Sequence, residues 1–171
     1  MITSDSLTQI QSYLQQRVEQ MRKYGRPDRK YCCFEELILD RGVAMTAASK
    51  PPKLKRGLPK SCYYNCQQVA FGRKTLTYVE GYAISADIPM AIAHGWLAND
   101  KGEAIELTWE EPGIAYLGIP FSTKWVKAFL KQRNRPDSLS IFEGNYLEEF
   151  SLLKDGIPTE AIVSLQNEVV R

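Results

Sequence analysis

The residues from Met90 to Trp109 (MAIAHGWLANDKGEAIELTW) constrain this chain more than any other stretch. Two apolar runs flank Asn99-Asp100-Lys101-Gly102, a tetrad suited to a type I turn closed by a glycine in the left-handed region, the usual three-residue hairpin loop. With Asp100, Lys101 and Gly102 as the loop, Asn99 faces Glu103, Trp96 faces Glu106 and His94 faces Thr108. Paired residues share a face, and faces alternate with period two. His94, Trp96, Glu106 and Thr108 are therefore expected on one side of the hairpin, the carboxylate diagonal to the imidazole. A two-residue loop would shift the pairing by one and turn Glu106 to the other face. His94 is the only histidine in the chain, so imidazole chemistry is confined to this hairpin.

A length of 171 residues fits one domain with room for a sizeable core. The expected organisation is a single domain over 1-171, with an N-terminal helical region at 1-45, a helix-plus-sheet core at 61-121 and C-terminal helices at 122-171. Apolar residues make up 44% and charged residues 25%, which excludes disordered and fibrous classes. A net charge of +2 does not argue for nucleic acid, and the basic run Lys50, Lys53, Lys55, Arg56 and Lys60 reads as a solvated loop. No apolar run approaches a membrane span, and MITSDSLTQ lacks the pattern of a signal peptide, so a cytoplasmic protein without membrane or nucleic-acid partners is expected. Cys32, Cys33, Cys62 and Cys66 do not follow the spacing of structural zinc sites, and no metal or other cofactor is expected.

Leu7, Ile10, Tyr13, Leu14, Val18 and Met21 recur at helical spacing behind a capping box at Ser6 to Gln9, predicting an amphipathic helix that ends near Gly25 and Pro27. A short helix is predicted around Phe34 to Leu39, then a surface loop from Ala47 to Pro59. Ser61 reads as the N-cap of a helix from Cys62 to Phe71. Leu76 to Ile84 and Ile114 to Phe121 read as strands. Leu76, Tyr78, Glu80, Tyr82 and Ile84 share a face, and a carboxylate in such a row must be paired or hydrogen-bonded if it is buried. Ser122 is expected to cap a helix through about Gln132, and two further helices are predicted, one near Tyr146 to Leu153 and one opening at Pro158. The fold class is α+β, helices against an antiparallel sheet.

This order places a cysteine at a helix start, then a histidine on a strand, then an acid on the next strand. Unpaired amides and the helix dipole at a helix N-terminus favour a thiolate. Thiol hydrolysis needs a thiolate to attack an acyl carbon, an imidazole to take and return a proton, and a third group to fix the imidazole tautomer. Cys62, His94 and Glu106 suit those roles. Asn65 is a possible second oxyanion donor beside the Cys62 amide, or a tie from the helix to a neighbouring strand. Glu80, Trp96 and Thr108 complete the set of supporting residues.

Several short motifs resemble, in order, a family of small bacterial and phage proteins. The motifs are Cys62-Tyr-Tyr-Asn65-Cys66, Tyr78-Val79-Glu80-Gly81-Tyr82, His94-Gly95-Trp96, Glu106-Leu107-Thr108-Trp109 and Tyr116-Leu117-Gly118-Ile119-Pro120-Phe121. In that family the acid position holds aspartate followed by proline, where this chain has Glu106 and Leu107, and alanine stands where this chain has Gly95. The resemblance covers about a third of the chain. It implies a papain-like core of the kind shared with NlpC/P60-like and transglutaminase-like proteins, with extra N- and C-terminal helices. The implied function is a cysteine hydrolase or acyltransferase working on an amide, isopeptide or ester bond of a peptide-like substrate through Cys62, His94 and Glu106. The alternative from a different class is a non-catalytic binding protein, a phage or host-defence factor that keeps the fold for recognition.

Overall fold

Three long strands carry the centre of the molecule: β3 (Thr77–Ile84), β4 (Ile92–Ala98) and β6 (Ala115–Phe121). They belong to a computed structural model that describes residues 4–133 and 139–165. Three short strands, β1 (Val43–Met45), β2 (Ala47–Ala48) and β5 (Ala104–Ile105), complete one six-stranded sheet in the order β1-β6-β3-β4-β5-β2. β1 and β2 stand at opposite ends of that order, yet only Thr46 separates them in the chain. The sheet therefore curls until its outer strands are brought together. The Thr46 carbonyl fixes the closure by accepting the Ala104 N–H at 2.7 Å.

Curling gives the sheet an inner and an outer face, both buried, and β6 is buried at every position. Met45, Val79, Ala83, Trp96, Ala98, Ala104 and Tyr116 fill the inside. One large indole among small alanines is the way a narrow interior is filled without voids. The outer face, with Tyr78, Leu97, Ile105, Leu117, Ile119 and Phe121, receives the helices. These are α1 (Ser4–Arg22), α2 (Phe34–Arg41), α3 (Cys62–Gly72), α4 (Thr123–Lys131) and the single turn α5 (Ser151–Lys154). Ile10 and Leu14 of α1 are fully buried, each contributing roughly 2 kcal/mol of apolar transfer. No helix among the described residues is long and apolar enough to cross a membrane.

The α+β class and the hairpin register agree with the sequence reading. Leu97 pairs with Ile105 and Ala98 with Ala104, the Asn99 N–H donates to the Glu103 carbonyl at 3.0 Å, and Gly102 takes φ 75°. Other expectations need correction. The sheet is not wholly antiparallel, because β2 runs parallel to β5, so Ala47 and Ala48 leave the expected loop. α1 already includes Ser4, which puts Ser6 inside the helix and not at a cap. Ser61 makes no capping bond; its hydroxyl donates to the Pro59 carbonyl instead. The helix expected near Tyr146 to Leu153 is a 3-10 segment, Glu143–Glu148, and then α5, broken where Glu149 and Phe150 both take left-handed φ of 52° and 59°. A side chain there strains the turn and stops helix propagation. The helix opening at Pro158 is one 3-10 turn, Thr159–Ala161, within the described residues.

Candidate active site

Cys62 is the first residue of α3 and is half-buried. Helix α3 lies on the outer face of β4, and Gly95 lets it come close: a Cβ there would stand 3.0 Å from Tyr63 Cδ1 and 3.5 Å from the Tyr63 backbone nitrogen. One turn further on, the Cys66 thiol donates to the Gly95 carbonyl at 3.4 Å. Cys66 is fully buried, and burial pushes its thiol well above the ordinary cysteine range. The two cysteines of α3 therefore sit in different surroundings, one in the core and one at the helix start.

His94 points to the inner face of β4, on the same side as Trp96, and is 3% exposed. The β4–β5 ladder stops at Ile105, so the chain is free to turn at Glu106. That turn is built by the carboxylate itself. Glu106 Oε1 accepts the backbone N–H groups of Thr108 at 2.7 Å and Trp109 at 3.1 Å. Oε2 lies 2.9 Å from His94 Nε2 and accepts the Tyr116 hydroxyl at 3.3 Å. A carboxylate only accepts, so Nε2 carries the proton of that bond and Nδ1 remains for the thiol. Trp109 then lies flat on the imidazole, ring centroids 3.9 Å apart and planes at 8°.

The electrostatics follow from these contacts. Burial disfavours the imidazolium, but hydrogen bonds and charge from Cys62 and Glu106 outweigh it and push the His94 pKa up to about 9. For Glu106, burial works against the carboxylate while His94 and the two backbone amides favour it, and its pKa ends below the usual glutamate range. The Cys62 thiol, at the start of α3, is close enough to the imidazole to favour its charged form. Cys62, His94 and Glu106 are thus brought together although they come from a helix, a strand and a turn.

Asn65 ties the loop before α3 and the turn after β5 to the helix. Its Nδ2 donates to the Leu58 carbonyl at 2.8 Å and to Thr108 Oγ1 at 3.0 Å, and its Oδ1 accepts the Leu58 N–H at 3.0 Å. Both amide hydrogens are engaged in the fold. Thr108 therefore links α3 to the Glu106 turn. Trp96 is fully buried in the interior, its indole N–H donating to Met45 Sδ at 3.3 Å. Glu80 faces away from His94, on the outer side of the sheet. It accepts Tyr78 OH at 2.7 Å, the Ile141 N–H at 2.8 Å, the Phe142 N–H at 3.0 Å and the Ser140 hydroxyl. Burial raises its pKa, and those four donors hold the rise in check. Its geometry is that of a carboxylate pinning the segment 140–142 to β3.

Two residues in contact with the site were outside the expected set: Trp109 on the imidazole and Tyr116 on the carboxylate. Counting along an unbroken ladder turns Trp109 away from His94, and only the end of pairing at Ile105 brings it over. No protein-family model, no curated protein and no solved structure matches this chain.

Proposed function

We propose that this protein is a thiol-dependent hydrolase or acyltransferase, with Cys62 as nucleophile, His94 as base and then acid, and Glu106 as the group that orients His94. The observation that carries the reading is the convergence of three groups: Cys62 close enough to His94 to raise its pKa, and an imidazole whose Nε2 stands 2.9 Å from an anchored carboxylate. An imidazole held in one plane by Trp109 and in one tautomer by Glu106 presents the same ring nitrogen to the thiol in every cycle. The core is read as papain-like, in the broad sense of a helix-borne cysteine docked against a sheet that bears histidine and acid.

In the first half of the reaction, the Cys62 proton passes to His94 and the sulfur attacks the acyl carbon of an amide, isopeptide or ester. His94 returns that proton to the departing nitrogen or oxygen as the thioester forms. In the second half, His94 takes a proton from water, or from an amine acceptor, as it attacks the thioester, and gives it back to the Cys62 sulfur. Free amides in the first turn of α3, that of Cys62 among them, would donate to the developing oxyanion. The substrate is a peptide-like molecule with an accessible acyl group.

An electrophilic thiol probe tests this reading. Labelling abolished by Cys62→Ala, retained in Cys66→Ala and lost in His94→Ala is the expected result. Equal labelling of the two thiols, or labelling indifferent to His94→Ala, refutes it.

A further inference from the structure

A cavity of about 90 Å³ lies on the outer side of the sheet, one residue away from both Cys62 and His94 in the chain: Tyr63 and Ala93 are in its wall. It sits between α2, β3, β4 and the segment at Phe142 and Glu143, and Ala93 and Glu143 are exposed at its opening. Its walls combine two chemistries. The rings of Phe34, Tyr63, Tyr82 and Phe142 supply aromatic surface, and Glu35, Glu80 and Glu143 supply carboxylates. The tyrosine hydroxyls are already spent on those acids, Tyr63 donating to Glu143 at 2.7 Å and Tyr82 to Glu35 at 3.1 Å. Glu80 accepts four hydrogen bonds and is saturated. Glu35 and Glu143 keep open lone pairs.

The charge is unbalanced. Among the described residues, Arg17 at 3.5 Å from Glu35 is the one cation within ion-pair distance of these three acids. An anion is repelled there, and a neutral group leaves the excess unanswered. A small cation meets both the carboxylates and the ring faces, where cation–π attraction adds to the ion pair. Size narrows the choice, since a cavity of about 150 Å³ holds benzene and this one, open at Ala93 and Glu143, encloses roughly four non-hydrogen atoms of a slightly longer group by the same measure. The wall is also preformed, because Glu80 fixes Ile141 and Phe142 through their backbone amides.

We propose that this cavity is a substrate subsite for a primary ammonium on a short alkyl chain, such as the end of a basic amino-acid side chain. The proposal rests on the thiol-hydrolase reading for the word substrate, and it narrows the substrate class to an acyl compound that carries a basic side chain. The ammonium bonds to Glu143 and Glu35, and the alkyl part lies against Tyr63 and Tyr82.

The test titrates n-butylammonium, 1-butanol and butyrate into 15N-labelled protein, following the backbone amides around Tyr63, Ala93 and Glu143. Both the unmodified chain and Cys62→Ala are used, so binding is read independently of catalysis. The expected result is butylammonium binding about tenfold or more tighter than butanol in both proteins, no detectable butyrate binding, and a loss of about tenfold in Glu143→Gln. Ala93→Leu, which narrows the opening without touching a charge, is expected to weaken butylammonium as well. Butylammonium binding no tighter than butanol, or unaffected by both Glu143→Gln and Ala93→Leu, overturns the subsite. Failure of thiol labelling together with selective butylammonium binding would overturn the hydrolase reading and leave the ammonium site standing.

Discussion

Replacing Glu106 by glutamine removes one charge while keeping the shape of the side chain. In Glu106→Gln the Oε1 atom can still accept the Thr108 and Trp109 amides, so the turn after β5 persists, but the charge 2.9 Å from His94 Nε2 is gone. With charge centres about 4 Å apart and an effective dielectric of about 20, the attraction is about 4 kcal/mol. That corresponds to roughly 3 pH units. The His94 pKa should accordingly fall from about 9 to about 6, burial then opposing the remaining pull of Cys62. Because His94 is the only histidine, the imidazole Cε1–H signal in a carbon–proton NMR titration belongs to it without further assignment. A midpoint near 6.5 in the unmodified protein, or a midpoint that Glu106→Gln leaves in place, would refute the assignment of Glu106 as the group that holds the imidazolium.

Stability should follow the same ionisations. A folded-state His94 pKa of about 9 against 6.5 unfolded contributes about 3 kcal/mol. That contribution is complete below pH 6.5 and is lost as the pH rises to about 9, so urea denaturation at pH 6 and pH 9.5 should differ by this amount, and His94→Asn should abolish the difference. Glu106, whose pKa is lowered, adds a term that is present above its unfolded value and disappears in acid. Asn65→Ala deletes three hydrogen bonds at a buried position and should cost about 2–3 kcal/mol in the same assay, with weaker thiol labelling; unchanged stability would contradict its role as a tie. Gly95→Val forces α3 away from β4 at Tyr63. About 1–3 kcal/mol of overpacking and slower labelling at Cys62 are expected, and normal labelling would show that this close approach does not set the position of the thiol.

The hairpin was legible because its turn chemistry fixes the register, which brings Glu106 to the end of the ladder on the His94 side. Runs of aromatic and β-branched residues bounded by turn signals made β3 and β6 equally plain. The closure of the sheet was not legible. β1 and β2 are three and two residues long, too short for any periodic pattern, and their partners come from distant parts of the chain. The stop in the β4–β5 ladder was hidden for a related reason: Glu106 trades strand pairing for two backbone amides of its own turn, which apolar patterning does not record. That exchange also brought Trp109 onto the imidazole. At the C-terminal end no glycine marks the break at Glu149 and Phe150, so a helical pattern continued across it. Glu80 stands out in the sequence as an acid in an apolar row, but its partners in segment 140–142 lie some sixty residues away in sequence.

The rate of Cys62 alkylation by iodoacetamide, measured at pH 6 in the unmodified protein and in His94→Ala, tests the central claim most directly. A thiol held beside a fixed imidazolium should react at least about tenfold faster with His94 present than without it. Equal rates in the two proteins would contradict the account.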